Sequence, residues 1–374
     1  MFSYRPPNTA SSLSKLVALV AICLSFTVQS ALAGVFPDST FSNLNAGLVF
    51  FGKDNRYQTY VPGQANQYFD SNKKTLIYIH GWQNGATEDK KRPLFDSDTM
   101  RGAPGGLDYA AGWIDRGYNV AIFYWNQFAD EGEVKDAEAK IWTKWGDKRM
   151  RWRNSRGDYS SYTGDAGNVT GILTRQYISL FANHRGGSVR IAGHSLGGQM
   201  ALVAAIQIRG AWYRGEIPGV AVPSRIALLD AAFLQGGRDF LGGDWTGERA
   251  RRYADMLKSD GVLIESYRSS GATSNGLIGD SNDKLNDKTA FTELKPWYFN
   301  WFQLREKHDM AKWWYLDSIN YAAPDLENAS SPGMNASTSS DWVRYWMESD
   351  SRLEQTEGRR TKRLTDDEFT VKDR

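Results

Sequence analysis

Gly193-His194-Ser195-Leu196-Gly197 is the first place in this sequence where residue types and spacing could do chemistry. A serine with glycines two positions to either side serves as a nucleophile when a strand delivers it into a tight turn and a helix leaves from it. The glycines let neighbouring backbone approach. The first N–H groups of the helix point to where negative charge would develop. The five-residue string alone is common. Its setting supplies the other parts: Val189-Arg190-Ile191-Ala192 reads as a strand, and Met200 to Ile208 as an apolar-periodic helix.

Such a serine needs a base, and the base needs an orienting acid. Around a nucleophile elbow, the acid and then the histidine follow the serine in the chain. The chain has 4 histidines, and only His308 lies after Ser195. His80 ends an early apolar run, His184 precedes the nucleophile strand, and His194 is the variable elbow residue, expected to point away from the serine. His308 precedes an expected helix from Met310 to Asn320 with Asp309 as its N-cap, so the ring should be presented from a loop. For the acid, Asp230 directly ends Arg225-Ile226-Ala227-Leu228-Leu229, where a carboxylate is desolvated unless an imidazole N–H partners it. Glu265, inside Val262-Leu263-Ile264-Glu265-Ser266, is its rival, and its mid-strand place suits a structural hydrogen bond better. Attack on an ester also needs two backbone N–H groups aimed at the carbonyl oxygen. Leu196 follows the nucleophile and supplies one; Trp82, after His80-Gly81, supplies the other. An imidazole base implies activity that rises through neutrality.

Five short apolar runs must position these groups: Thr75 to Ile79, Asn119 to Tyr124, Ser188 to Ala192, Arg225 to Leu229 and Val262 to Ser266. They lack alternation, as strands buried on both faces do, and this predicts a parallel sheet covered by helices. Leu107 to Ile114, Leu196 to Ile208 and Glu248 to Leu257 supply crossover helices, which makes the fold α/β and doubly wound. Two insertions interrupt the rhythm. The first, Gln127 to Thr170, carries an expected helix from Val134 to Arg153. The second, Ser269 to Lys307, ends in Trp297, Tyr298, Phe299, Trp301 and Phe302, which would either cover the site as a lid or pack in the core.

From about Lys74 to Ile319 the sequence resembles the pancreatic-type lipase family of α/β-hydrolases. Leu76-Ile77-Tyr78-Ile79-His80-Gly81-Trp82 is similar to that family's oxyanion strand, and Asn119 to Trp125 to its next strand. Gly193 to Gly198 resembles its elbow, Arg225 to Ala231 its acid strand, and the segment from His308 to Ile319 the one that begins with its histidine. The resemblance implies an α/β-hydrolase fold with lid-like insertions, a mostly parallel central sheet flanked by helices, and ester hydrolysis by Ser195, Asp230 and His308. It supports Asp230 over Glu265. Ala231 stands where that family has proline, and Gly198-Gln199 where it tends to have Ala-His; with a single cysteine the chain cannot form that family's structural disulfides.

Composition narrows the alternatives. The 374 residues carry 45 Lys and Arg against 43 Asp and Glu, a formal charge of +2 without basic clustering of the kind nucleic acid requires. Arg5 and Lys15, the apolar run Leu16 to Val28 and Ala31-Leu32-Ala33 describe a signal peptide over residues 1–33. The run is short of the roughly 20 residues of a spanning helix. Its removal takes away both of those charges and the single cysteine, Cys23, leaving a chain of zero formal charge, expected to be secreted to the medium or periplasm with no transmembrane anchor. Residues 34–325 should form the hydrolase domain, and 326–374 a linker and a charged, disordered tail. The expected substrate is a carboxylic ester, lipid-like and met at a lipid–water interface, with no cofactor and no metal. Two other readings stand beside it: an esterase or peptidase for non-lipid substrates, and a catalytically silent binding protein using its 14 tryptophans as platforms. Asn168, Asn328 and Asn335 head sequons.

Overall fold

The computed structural model describes residues 36–271 and 282–374. The expected signal peptide and part of the second insertion lie outside them. Strands run in chain order β1 (Gly47–Phe51), β2 (Tyr57–Thr59), β3 (Lys74–Ile79), β4 (Tyr118–Tyr124), β5 (Arg151–Arg153), β6 (Tyr159–Ser161), β7 (Val189–His194), β8 (Pro223–Leu229), β9 (Leu263–Arg268), β10 (Ala290–Glu293), β11 (Asp325–Leu326), β12 (Ser351–Gln355) and β13 (Glu368–Asp373). The main helices are α1 (Tyr109–Asp115), α2 (Val134–Trp142), α3 (Val169–Phe181), α4 (Leu196–Tyr213), α5 (Thr246–Ser259), α6 (Leu304–Ser318) and α7 (Ser340–Glu348).

The five runs with continuous apolar sequence are neighbours at the centre of one sheet, ordered β11-β13-β12-β10-β9-β8-β7-β3-β4-β1-β2. Pairing is parallel from β4 through β3, β7, β8, β9 and β10 to β12, and antiparallel where β1 joins β4 and β13 joins β12. Leu76, Ile77, Ile79, Val120 to Phe123, Ile226, Leu228 and Leu229 are buried without solvent contact, as strands covered on both faces require. One group of helices, α3, α4 and α5, packs together with α4 on β7, β8 and β3. A second places α6 on α1, β7 and β8, with α7 on β9 and β10. This is the α/β-hydrolase arrangement, a mostly parallel sheet between helices.

Three expectations are corrected. The helix expected from Val134 to Arg153 ends at Trp142; Thr143 is extended, and Trp152 lies in the β5–β6 hairpin. The helix expected to begin at Met310 begins at Leu304, because Leu304-Arg305-Glu306-Lys307 contains no residue that interrupts a helix. Asp309 is therefore inside α6, not its cap.

The third correction concerns 326–374, which is neither linker nor disordered tail. Residues 351–355 and 368–373 extend the central sheet as β12 and β13. A hairpin added to an existing sheet needs few apolar residues: Leu353 and Phe369 are fully buried, and its charges face each other across strands. Arg352 pairs with Glu293 at 2.8 Å and Lys295 with Glu354 at 2.6 Å. The Ser/Asn segment before it is used as well, with Met334, Asn335, Ala336 and Thr338 buried. The Asn335 amide donates to the Ala322 carbonyl at 2.8 Å, and that of Asn168 caps α3 by accepting from Gly171 N–H, so these sequon side chains serve the folded backbone.

Candidate active site

Strand β7 ends at His194, and the chain turns at Ser195 before α4 begins at Leu196. Ser195 sits at φ 57° and ψ −125°, a left-handed-side conformation that non-glycine residues adopt at a cost of about 1–3 kcal/mol. The turn is closed by Ser195 N–H donating to the Leu229 carbonyl at 3.0 Å and Gly198 N–H donating to the Ser195 carbonyl at 3.0 Å.

Both motif glycines are required by close approach. A Cβ on Gly193 would lie 2.2 Å from the Gly197 carbonyl oxygen, and one on Gly197 would lie 2.2 Å from that of Ile79. Neither contact involves a side chain that could move aside. Gly197→Ala is expected to destabilise the fold by about 1–3 kcal/mol, as overpacking against backbone does, in urea unfolding. An unchanged midpoint would mean that β3 and the elbow are not packed this closely. A Cβ on Gly81 would lie 2.7 Å from Ser195 Cβ and 3.2 Å from its Oγ, so the serine side chain rests against the turn after β3.

Asp230 leaves the end of β8 one strand away, at φ 43°, with its N–H donating to the Tyr267 carbonyl at 2.7 Å. Its carboxylate is fully buried and its acceptor sites are filled by named donors. Oδ1 accepts from the N–H groups of Ser269 (3.1 Å) and Ser270 (3.4 Å); Oδ2 accepts from Ser270 Oγ at 2.5 Å and faces His308 Nδ1 at 2.6 Å. With the carboxylate ionised, Nδ1 carries the proton and Nε2 is left as the acceptor. The second turn of α6, not a loop, presents His308. Ser269 fixes that turn to β9: its Oγ donates to the Lys307 carbonyl at 2.6 Å and accepts from Ala311 N–H at 3.2 Å.

His194 lies against this assembly. Its ring centroid is 4.5 Å from that of His308, and its Nε2 lies 3.0 Å from the His308 carbonyl oxygen. Burial, with a smaller contribution from the neighbouring His308, pushes its pKa well down. His80 is held the same way, burial lowering it to about 3. Its Nδ1–H donates to the Gly81 carbonyl at 2.9 Å, while Nε2 accepts from Trp125 N–H at 3.2 Å and the ring stacks on Trp125. Both rings are therefore neutral throughout the working range.

Among the described residues, the backbone N–H groups of Trp82 and Leu196 donate to no protein acceptor. The turn carrying Trp82 is braced by the first insertion, a role the sequence reading missed. The Trp82 indole N–H donates to the Glu131 carbonyl at 2.8 Å. The buried Asp130 carboxylate accepts from Gly85 N–H at 2.7 Å and Thr87 N–H at 2.9 Å, and Arg153 approaches it at 3.2 Å. Glu131 is itself held by Lys140 and Arg151, both at 2.6 Å. The signal was a pair of acids, Asp130-Glu131, embedded in a Trp- and Arg-bearing insertion.

The two departures from the resembled family lie side by side. A Cβ on Gly198 would come within 2.6 Å of Ala231 Cβ. Gln199 donates to Glu138 at 2.8 Å and the Ala232 carbonyl at 2.6 Å, and accepts from the Trp142 indole, joining the insertion to the end of β8. Glu265 is elsewhere engaged: its carboxylate faces Arg225 at 2.7 and 2.5 Å and accepts from Tyr267 and Tyr315 hydroxyls, each at 2.7 Å. In the aromatic run, Phe299 is buried and wedged against Gly102, while Trp297, Trp301 and Phe302 are exposed. No group of three or more His, Cys, Asp or Glu side chains that could hold a metal occurs among the described residues. Nor is any helix among them long and apolar enough to cross a membrane.

Residues 131–218, less than a quarter of the chain but including the elbow, match the profile of class 3 lipases. The match is to that lipase family and not to the pancreatic type. A search of curated protein sequences finds no match. Similar solved structures include one from a study of LipS and LipT, two metagenome-derived lipolytic enzymes, at 13% identity, covering 57% of this chain and 78% of that one, TM-score 0.27. Another is LpqC, a poly(3-hydroxybutyrate) depolymerase from Bordetella parapertussis, at 13% identity over 74% of this chain and 78% of that one, TM-score 0.30. A third is a bacterial membrane phospholipase A, at 14% identity over 73% and 84%, TM-score 0.27.

Proposed function

We propose that this protein is a serine hydrolase of carboxylic esters, working through an acyl-enzyme on lipid-like substrates. The observation that supports the reading is His308 hydrogen-bonded through Nδ1 to the buried Asp230 carboxylate at the end of β8, next to the strand whose end holds Ser195 at positive φ. The Trp82 and Leu196 backbone N–H groups, which have no protein acceptor among the described residues, are available to an external oxygen. The class 3 lipase match over the elbow supports ester hydrolysis, and the balanced surface charge suits selection by apolar contact rather than by field.

In this mechanism Ser195 Oγ attacks the ester carbonyl carbon while His308 Nε2 takes its proton. Trp82 and Leu196 N–H groups hold the oxyanion, and collapse expels the alcohol, which takes the proton back from His308. Water then repeats the cycle on the acyl-serine and releases the acid. Asp230 keeps Nδ1 protonated and stabilises the imidazolium. Export under the N-terminal signal sequence belongs to the same proposal.

A fluorophosphonate probe tests it. Labelling is expected on the peptide containing Ser195, at a rate that rises with pH as one group loses its proton. His80 and His194, held neutral by burial, contribute nothing to that limb. Absence of labelling would favour the silent binding protein. Profiling hydrolysis of soluble against emulsified esters then separates a lipase from an esterase of non-lipid substrates.

A further inference from the structure

Three aromatic side chains before α6 face solvent. Trp301 and Phe302 are 72% and 73% exposed and lie against each other with ring centroids 3.6 Å apart; Trp297 is 52% exposed. They project from a segment that is firmly held. Phe299 is buried behind them, and the Trp297 and Tyr298 N–H groups both donate to the Arg359 carbonyl, at 2.8 and 3.2 Å. That contact brings the β12–β13 connection alongside. The Arg359 guanidinium sits 4.1 Å from the Trp297 ring centroid, and Lys362 Nζ 5.3 Å from that of Phe299.

The connection, residues 356–367, carries four basic residues against Glu357, Asp366 and Asp367, and the basic ones are grouped in Arg359-Arg360-Thr361-Lys362-Arg363, with Arg360, Lys362 and Arg363 exposed. Arg305 and Lys307 with Glu306 follow on the α6 side. On a protein whose chain after the signal sequence has no net formal charge, positive charge is thus gathered beside three solvent-facing aromatic rings. His308 lies six residues beyond Phe302, in the second turn of α6.

We propose that Trp297, Trp301, Phe302 and the 359–363 basic turn form a surface that docks on anionic phospholipid bilayers, so that the site meets its ester at the membrane face. Aromatic rings partition into the headgroup boundary, and arginines and lysines beside them are drawn to anionic lipid rather than to neutral lipid. A large apolar side chain that stays in water contributes nothing to folding; insertion gives these rings the burial they lack. The membrane reading rests on the ester-hydrolase proposal for its biological use, but the docking surface stands on its own geometry.

The test is co-sedimentation of the purified Ser195→Ala protein with phosphatidylcholine vesicles and with vesicles containing phosphatidylglycerol. Strong binding is expected only with phosphatidylglycerol, falling as salt rises. R360Q/K362Q/R363Q should weaken it on the order of 100-fold, at about fivefold per charge, and W301S/F302S at least about tenfold. In the Ser195 background both sets should keep hydrolysis of a soluble short-chain ester and the wild-type melting temperature. Equal binding to both vesicle types, or variants that bind as wild type does, overturns the proposal. Vesicle binding without any soluble-ester hydrolysis would instead leave the surface standing and remove the hydrolase reading.

Discussion

Asp230→Asn is expected to leave a folded protein whose kcat on a soluble ester is lower by about 10⁴, with Ser195→Ala lower still, by about 10⁶. The first effect follows from hydrogen-bond directions. Ser269 and Ser270 N–H groups both donate to Oδ1, which obliges an asparagine to place its carbonyl oxygen there. Its NH₂ then occupies the Oδ2 position, facing His308 Nδ1 at 2.6 Å in the native carboxylate. Nδ1 must accept instead of donate, the ring proton moves to Nε2, and the atom that should take the serine proton already carries one. Unfolding in urea should show a midpoint close to wild type, since Ser270 Oγ can rotate to accept. Turnover retained within tenfold would remove Asp230 from the mechanism. Loss of turnover with the fold preserved separates an orienting acid from a structural one.

The parts of this site legible in the sequence were those whose determinants are contiguous. Continuous apolar runs marked β3, β4, β7, β8 and β9, and the polar residue ending each of the central three, His80, Ser195 after His194, or Asp230, marked the edge where the proposed site lies. Elimination points to His308 as the candidate base, but not to its helical setting, because a helix start is a weak signal: Leu304 to Lys307 has no cap residue to advertise it, and Gln303 makes no side-chain cap. The brace on Trp82 depends on Asp130 meeting Gly85 and Thr87 from more than forty residues away, which no local pattern encodes. The C-terminal hairpin was hidden for another reason. Its composition is that of a solvated tail, and only the neighbouring strand β10, with Glu293 facing Arg352, turns those charges into a paired sheet edge.

Glu265→Gln is expected to fail in the opposite way, costing about 3–5 kcal/mol of stability, because it leaves Arg225 buried without its counter-charge. Both side chains are almost fully buried, and burial alone would lower the guanidinium pKa. The adjacent carboxylate more than offsets this and raises it. Tyr267 and Tyr315 are pushed up by burial and by the same carboxylate, so both keep the O–H they donate to it. Arg225 also donates to the Thr338 and Asn335 carbonyls, at 2.6 and 2.9 Å. The cluster thus bolts β8 and β9 to α6, the helix that carries His308, and to the 335–338 turn. Removing one member breaks a satisfied network, whereas removing the whole network need not. The set R225M/E265L/Y267F/Y315F, which takes out every charge and hydroxyl together, should recover most of the loss. Denaturant midpoints at constant slope measure both effects. A Glu265→Gln protein with wild-type stability and no turnover would reverse the assignment of the two carboxylates. One that is destabilised yet turns over at a temperature where it is folded would leave Glu265 as the clamp that holds Asp230 and His308 in register.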